Sequence, residues 1–248
     1  MSLVLYSAWY GEAEPLNAQV FGPFDSCRRV LFTDRHDLSL PGVEVIHEPA
    51  MGLDPARASR RAKLMPHRYF PDAEWSIWID NKSILRRDPC DLLARLQSAT
   101  DAGFLAFPHF RRDCVYQELR TAWELGLDDP RILRERARTY RQEGMPEHFG
   151  LIEGHFLVRR HNAPDIARFG ERWFEHVLRF SRRDQVSFPY LAWRLGLRYE
   201  PITMLDRRDT VTFTVFDRKT RKPEFRRHDM ARQIARRIWH GIRSGGRK

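Results

Sequence analysis

Apolar residues along this chain fall into two kinds of run. Short continuous or alternating runs occur at Leu3–Trp9, Arg29–Asp34, Val43–Ile46, Glu74–Asp80, Gly103–Phe107 and His155–Val158, each followed by polar or turn residues. Runs of this length bounded by turn signals predict strands. Helical periodicity fills the intervals. Asp54-Pro55 supplies an N-cap with proline at the first helical position, opening a helix to about Met65, just before Pro66. Asp88-Pro89 opens a second, with Leu92, Leu93 and Leu96 on its apolar side, and segments near 113–126 and 130–143 stop at Gly126 and Gly144. Ile166, Phe169, Trp173, Val177 and Phe180 recur at spacings of 3, 4, 4 and 3, a helical core stripe. Strands alternating with helices predict an α/β layered domain over residues 1–216 with a largely parallel sheet. Ligands of such sheets gather at the carboxyl ends of strands. Asp34, Asp80 and His109 fall at predicted strand ends, where polar residues also accumulate for no functional reason.

Composition changes the picture mainly at the C-terminus. The 248 residues, 42% of them hydrophobic, suffice for a sizeable core, and no run approaches the roughly 18 apolar residues needed to cross a bilayer. MSLVLYSAWYG has neither a basic n-region nor a small-residue cleavage site, so no signal peptide is expected. Cys27, Cys90 and Cys114, odd in number and widely spaced, argue against a disulfide framework or a cysteine-based zinc site, and a cytoplasmic protein is expected. Residues 217–248 hold 12 of the 43 Lys+Arg and 3 of the 33 Asp+Glu, leaving 31 basic against 30 acidic residues in the body. A dedicated nucleic-acid binder, with a basic stripe across its fold, is therefore not expected. In the tail, Met230, Ile234, Ile238 and Ile242 recur every four residues beside Trp239, with Arg232, Arg236, Arg237 and Arg243 around them. This predicts a basic amphipathic helix. It would pack its stripe on the body, lie peripherally on an anionic membrane surface, or bind nucleic acid nonspecifically.

Four segments carry candidate chemistry. SIWIDNKSIL reads as a buried strand ending on Asp80, with Asn81 and Lys82 following. A carboxylate so fixed can hold a hard divalent cation against a diphosphate, a fixed Lys82 ammonium can take that cation's place, or Asp80 can merely cap the next turn. In DPARASRRAKLM, Arg57, Arg60 and Arg61 cover one helical face and Lys63 flanks it, as an anion-binding surface or a solvated one would require. In SRRDQVSF, Asp184 and Gln185 open a helix. They suit sugar hydroxyls and a general base, while Ser181 or Asp184 also suits an N-cap. PHFRRDCVYQE gathers His109, Arg112 and Asp113, and GLIEGHF holds Glu153 and His155.

In order, RAKLMPHRYFPDAEWSIWIDNK, HFRRDCVYQE, GLIEGHFLVRRHN and FSRRDQVSFPY resemble the glycosyltransferase-like domain of plant mucilage-related proteins and their bacterial relatives. The likeness spans roughly residues 3–205. It implies a single three-layer α/β/α domain of GT-A-type, Rossmann-like fold with a mixed, largely parallel sheet, and transfer of a sugar from a nucleotide-diphosphate donor to a hydroxyl acceptor, a glycan or glycolipid. By position, Asp80 matches the family's strand-end aspartate and Asp184-Gln185 its Asp-Gln element. Asn81 stands where members often have glycine, and Lys82 fits. The donor would be held by Asp34, Arg57, Arg60, Lys63, Asp80, Asn81 and Lys82. His109, Arg112, Asp113, His155 and Gln185 would face the acceptor or sugar, and Asp184 or Glu153 would serve at the acceptor hydroxyl. Mg²⁺ or Mn²⁺ on Asp80, or Lys82 in its stead, would neutralise the leaving group. A metal-assisted hydrolase on the same site and a non-catalytic sugar- or anion-binding module remain the alternatives.

Overall fold

The structure, a computed structural model, describes residues 2–213. The tail expected at 217–248 lies outside the described residues. In chain order the main sheet takes β1 (Leu3–Trp9), β2 (Arg28–Thr33), β3 (Glu44–His47), β4 (Trp75–Ile79), and, after the short β5 (Ser83–Leu85), β6 (Phe104–Pro108), β7 (Ile152–Arg159) and β8 (Glu200–Pro201). Helices α1 (Pro55–Leu64), α2 (Pro89–Ala99), α3 (Val115–Glu124), α4 (Pro130–Gln142), α5 (Pro164–Arg179), α6 (Asp184–Leu195) and α7 (Arg207–Thr210) connect them. The seven strands lie in the order β3-β2-β1-β4-β7-β6-β8. Of the six pairings, only those of β7 with β4 and β6 are antiparallel. β5 pairs separately with β9 (Val211–Phe213).

Alternation along β1 sends Val4, Tyr6 and Ala8 into one apolar cluster and Leu3 and Leu5 into another. The first packs under α1 and α3–α6; the second packs under α2 and a 3-10 turn at Ala18–Phe21. Three layers result, as expected. The caps at Asp54 and Asp88 accept backbone N–H bonds as their sequences predicted, and the α5 stripe is buried from Ile166 to Val177. β7 starts before its predicted run, at Ile152, because the buried polar Glu153 interrupts the apolar signal ahead of His155. Among the described residues, no helix is long and apolar enough to cross a membrane.

The reversed strand places the site. β7 runs against β4, so its amino end lies where β4 finishes: Ile79 pairs with Phe156, and the Asp80 N–H donates to the His155 carbonyl at 2.9 Å. One sheet edge thereby receives Asp34 after β2, Asp80 after β4, His109 after β6, and Glu153 and His155 from β7.

Candidate active site

Asp80 does not cap its turn through its side chain; the 2.9 Å bond from the Ser83 N–H goes to its carbonyl. Its Oδ1 instead accepts the Trp78 indole N–H at 2.8 Å and lies 3.4 Å from the Lys63 Nζ. Lys63 is 1% exposed and its ammonium sits 2.6 Å from Asp184 Oδ2. Arg60 reaches the other oxygen, Asp184 Oδ1, at 3.5 Å. Two cations and two carboxylates thus form one continuous chain between β4 and the first residue of α6. A buried ammonium is tolerable only when paired in this way. Asp184 is not an N-cap: Arg183 holds that position, and the Asp184 carboxylate faces inward.

The backbone beneath Lys63 is fixed as firmly as its head. Its carbonyl accepts from the buried Arg159 guanidinium at 2.7 Å and from the Tyr6 hydroxyl at 3.1 Å, and Arg159 also bonds that hydroxyl. Gly170 of α5 lies so close that a Cβ there would come within 2.3 Å of the Leu64 carbonyl oxygen. Gly154 leaves room for the charged chain, since its Cβ would stand 3.3 Å from Lys63 Nζ and 3.5 Å from Asp184 Oδ2.

Electrostatics separate the two candidate bases. Burial alone would raise the Asp184 carboxyl, but Lys63 and Arg60 outweigh it and hold the group well below the usual Asp range. The same opposition, with the same winners, lowers Asp80. Glu153 behaves oppositely: burial raises it, and Arg207, 3.6 Å away, only partly compensates. Burial also pushes His155, 3.5 Å from Glu153, down to about 4, so its imidazole is neutral near pH 7.

A cavity of about 230 Å³ holds Arg60, Lys63, Asp80, Asp184, Glu153 and His155 together with Lys82, His109 and Gln185. A second of about 260 Å³ shares Arg60, Asp80 and Lys82 with it and runs toward Trp9 and Glu14. A third, about 570 Å³, shares Trp9 and Glu14 with the second and ends on Arg35 and His36 after β2. The cavities therefore form a row along the sheet's carboxyl edge.

Several expected site residues do other work. Arg57, expected at the donor, is turned to α5: its guanidinium bonds the Val177 and Phe180 carbonyls and Asp54. Arg61 bonds Pro49 and pairs with Glu48 at 3.4 Å, so the single cationic face drawn on α1 is divided among three neighbours. Asn81 lines the second cavity but spends its side-chain amide on the loop after β1, accepting from Asn17 N–H and donating to the Pro15 carbonyl. Asp34 accepts the Gly11 N–H at 3.2 Å and pins the loop after β1. Gly11, at φ 66°, needs glycine both for that conformation and because a Cβ would meet Pro55 at 2.8 Å. Asp113 pairs with exposed His148 away from the cavity, and Arg112 sits behind it on buried Glu118. His109 Nδ1 accepts the Arg111 and Arg112 N–H groups; burial, then Arg112, lowers its pKa.

Other contributors escaped the sequence reading. Arg183 shares Glu118 with Arg112 and bonds Gln185, whose own amide donates to the Ile152 carbonyl. It lies inside SRRDQ, between Ser181 and Asp184, the two residues that suit an N-cap. Arg207, the first residue of the short α7, and Glu14, from the loop after β1 and 3.6 Å from the Lys82 ammonium, carry no sequence signal.

A metal on Asp80 would have to share its carboxylate with groups already bound to it. Among the described residues, no three His, Cys, Asp or Glu side chains group as a metal ion would need. Asp80, the one expected ligand, already serves an indole and an ammonium.

The model of the TOD1/MUCI70 glycosyltransferase-like domain matches residues 43–228. The chain belongs to that family. The TOD1/MUCI70 match contains α1, the Asp80 strand end, β7 and α6, and so every member of the charged chain. The "Probable hexosyltransferase MUCI70" of Arabidopsis thaliana is 33% identical over 143 residues, covering 54% of this chain and 24% of that protein. The match thus takes in about a quarter of the curated relative's length. The apo structure of the bifunctional glycosyltransferase WbbM is similar with a TM-score of 0.45 at 10% identity, over 81% of this chain and 38% of that one. Mouse xyloside xylosyltransferase 1, apo form, is similar with 0.47 at 10%, over 82% and 85%. At those scores the two structures add nothing to the assignment, which rests on the family match.

Proposed function

We propose that this domain is a GT-A-type hexosyltransferase that moves a hexose from a nucleoside-diphosphate donor to a hydroxyl of a glycan or glycolipid. The observation that carries it is the Asp80–Lys63–Asp184–Arg60 chain lining a cavity at the sheet's carboxyl edge, in a domain of this family. The row of cavities has room for an extended donor, with the nucleoside toward Trp9 and His36 and the hexose near Asp80. Arg60 and Lys82 face the junction of two cavities, where guanidinium and ammonium groups would take the diphosphate oxygens. Glu153, raised by burial, is the better base of the two candidates, because Asp184 is held too acidic to accept a proton near neutral pH. In the reaction the acceptor hydroxyl gives its proton to Glu153, its oxygen bonds the anomeric carbon, and the bond to the diphosphate breaks.

A thermal-shift screen of UDP-, GDP-, ADP-, CMP- and dTDP-sugars, each with Mn²⁺ and with EDTA, should find one stabilising donor class. Hexose transfer from that donor should then disappear in Asp80→Ala. Full turnover by that variant would remove Asp80 from the site. Free sugar as the only product would make the protein a hydrolase, and donor binding without any turnover would make it a binding module.

A further inference from the structure

We propose that this site handles the donor diphosphate without a protein-held divalent cation, because the buried Lys63 ammonium occupies the electrostatic place such a cation would take. The inference rests on the donor-site reading above and gives that site its charge chemistry. Four observations support it. Lys63 is 1% exposed and touches both Asp184, at 2.6 Å, and Asp80, at 3.4 Å. With Arg60 on Asp184, two positive charges already balance the two carboxylates. The Trp78 indole bonds the same Asp80 oxygen that faces the ammonium. No triad of metal-ligating side chains exists among the described residues.

A divalent ion on Asp80 would therefore have to displace an indole bond. It would also have to sit against an ammonium that is buried and paired with both carboxylates, on a backbone that Arg159 and Tyr6 anchor. Like charges at this range in a shielded cavity repel strongly. The cations that line both of the two smaller cavities, and so meet a diphosphate at their junction, are Arg60, whose side chain is about one-quarter exposed at 23%, and Lys82, at 51%. Lys63 is thus a positioning residue: it keeps Asp80 and Asp184 ionised and placed, while Arg60 and Lys82 face the ligand.

The test uses the full chain and needs no turnover. Mn²⁺ alone is titrated into the protein and read by the loss of the free-ion EPR signal. The expected result is no site tighter than about millimolar and no change in Asp80→Asn. A stoichiometric site that Asp80→Asn removes would overturn the proposal. Inorganic pyrophosphate is then titrated calorimetrically in EDTA, where binding is expected, weakened about tenfold in Lys82→Ala. Pyrophosphate bound only when Mn²⁺ is added, or in neither condition, would also overturn it. Lys63→Gln, if it retains a cooperative melt, should acquire Mn²⁺ binding that depends on Asp80. A folded Lys63→Gln indifferent to Mn²⁺ would refute the part given to Lys63, and if that variant does not fold, the wild-type titrations decide. A chain that binds pyrophosphate without metal yet transfers no hexose would sink the transferase reading and leave this one standing.

Discussion

At the scale of single residues, the site is a set of charges whose neighbours decide their behaviour. Glu153 and Asp184 are both buried carboxylates lining one cavity, yet one is pushed up and the other held down, because Lys63 and Arg60 touch only Asp184. The expected consequence is that Glu153→Gln, which keeps the shape, loses about 10²- to 10⁴-fold in kcat while donor affinity stays near that of the wild type. The acid limb of the kcat/KM profile should lie above the ordinary Glu value of 4.5 and vanish in that variant. Rates measured against pH on both proteins check this. Of these residues, Asp80 was legible as a strand-end acid. The role of Lys63 was not: on a helical wheel it only flanks the arginines, and burial depends on what α5, α6 and β7 place over it.

At the scale of elements, the site depends on how closely α1 approaches α5. Gly170 permits the contact, and its neighbour across the interface, Leu64, adjoins Lys63. Gly170→Ala should force the helices apart, cost about 1–3 kcal/mol, and weaken donor binding although residue 170 is outside the cavity. Urea unfolding and donor titration on the same preparation test both effects. An unchanged pair of values would mean that α1 tolerates the shift. The boundaries of α1 were readable from its Asp54-Pro55 cap and Pro66, and the core face of α5 from its apolar spacing, because both signals are local. The two-residue β8 and the β5–β9 pair were not, since strands so short exist only through their partners. The start of β7 before His155 escaped for a related reason: its buried Glu153 looks like a loop residue until opposing elements cover it.

For the whole molecule, buried histidines set an acid limit on stability. Burial lowers His155 and His176 to about 4, against 6.5 for an ordinary histidine. Between those values the unfolded chain binds more protons than the folded one. Stability is therefore complete above pH 6.5 and falls as the pH drops toward 4, by on the order of 3 kcal/mol at most for each group. The depressed Asp184 extends the loss below its ordinary value of 3.8. Urea unfolding across this range should show the decline, and His155→Gln should flatten part of it. Charge at the other end of the chain leads to a separate expectation. If the basic tail lies on an anionic membrane surface, the chain should co-sediment with anionic but not neutral vesicles, and removal of residues 217–248 should abolish this; unchanged partitioning after the removal would count against that role.

By itself, the sequence determined the α/β class, the order of the long elements, the strand-end position of Asp80 and the family, because apolar period, caps and ordered motifs are all local properties of the chain. Only the tertiary structure decided which charges meet. The antiparallel course of β7 brings Glu153 and His155 to the edge where β4 ends, and the fold turns Arg57 to α5, Asp113 to His148 and Lys63 to Asp80 and Asp184. Charges act through distance and burial, and neither is written in the spacing of residues along a chain.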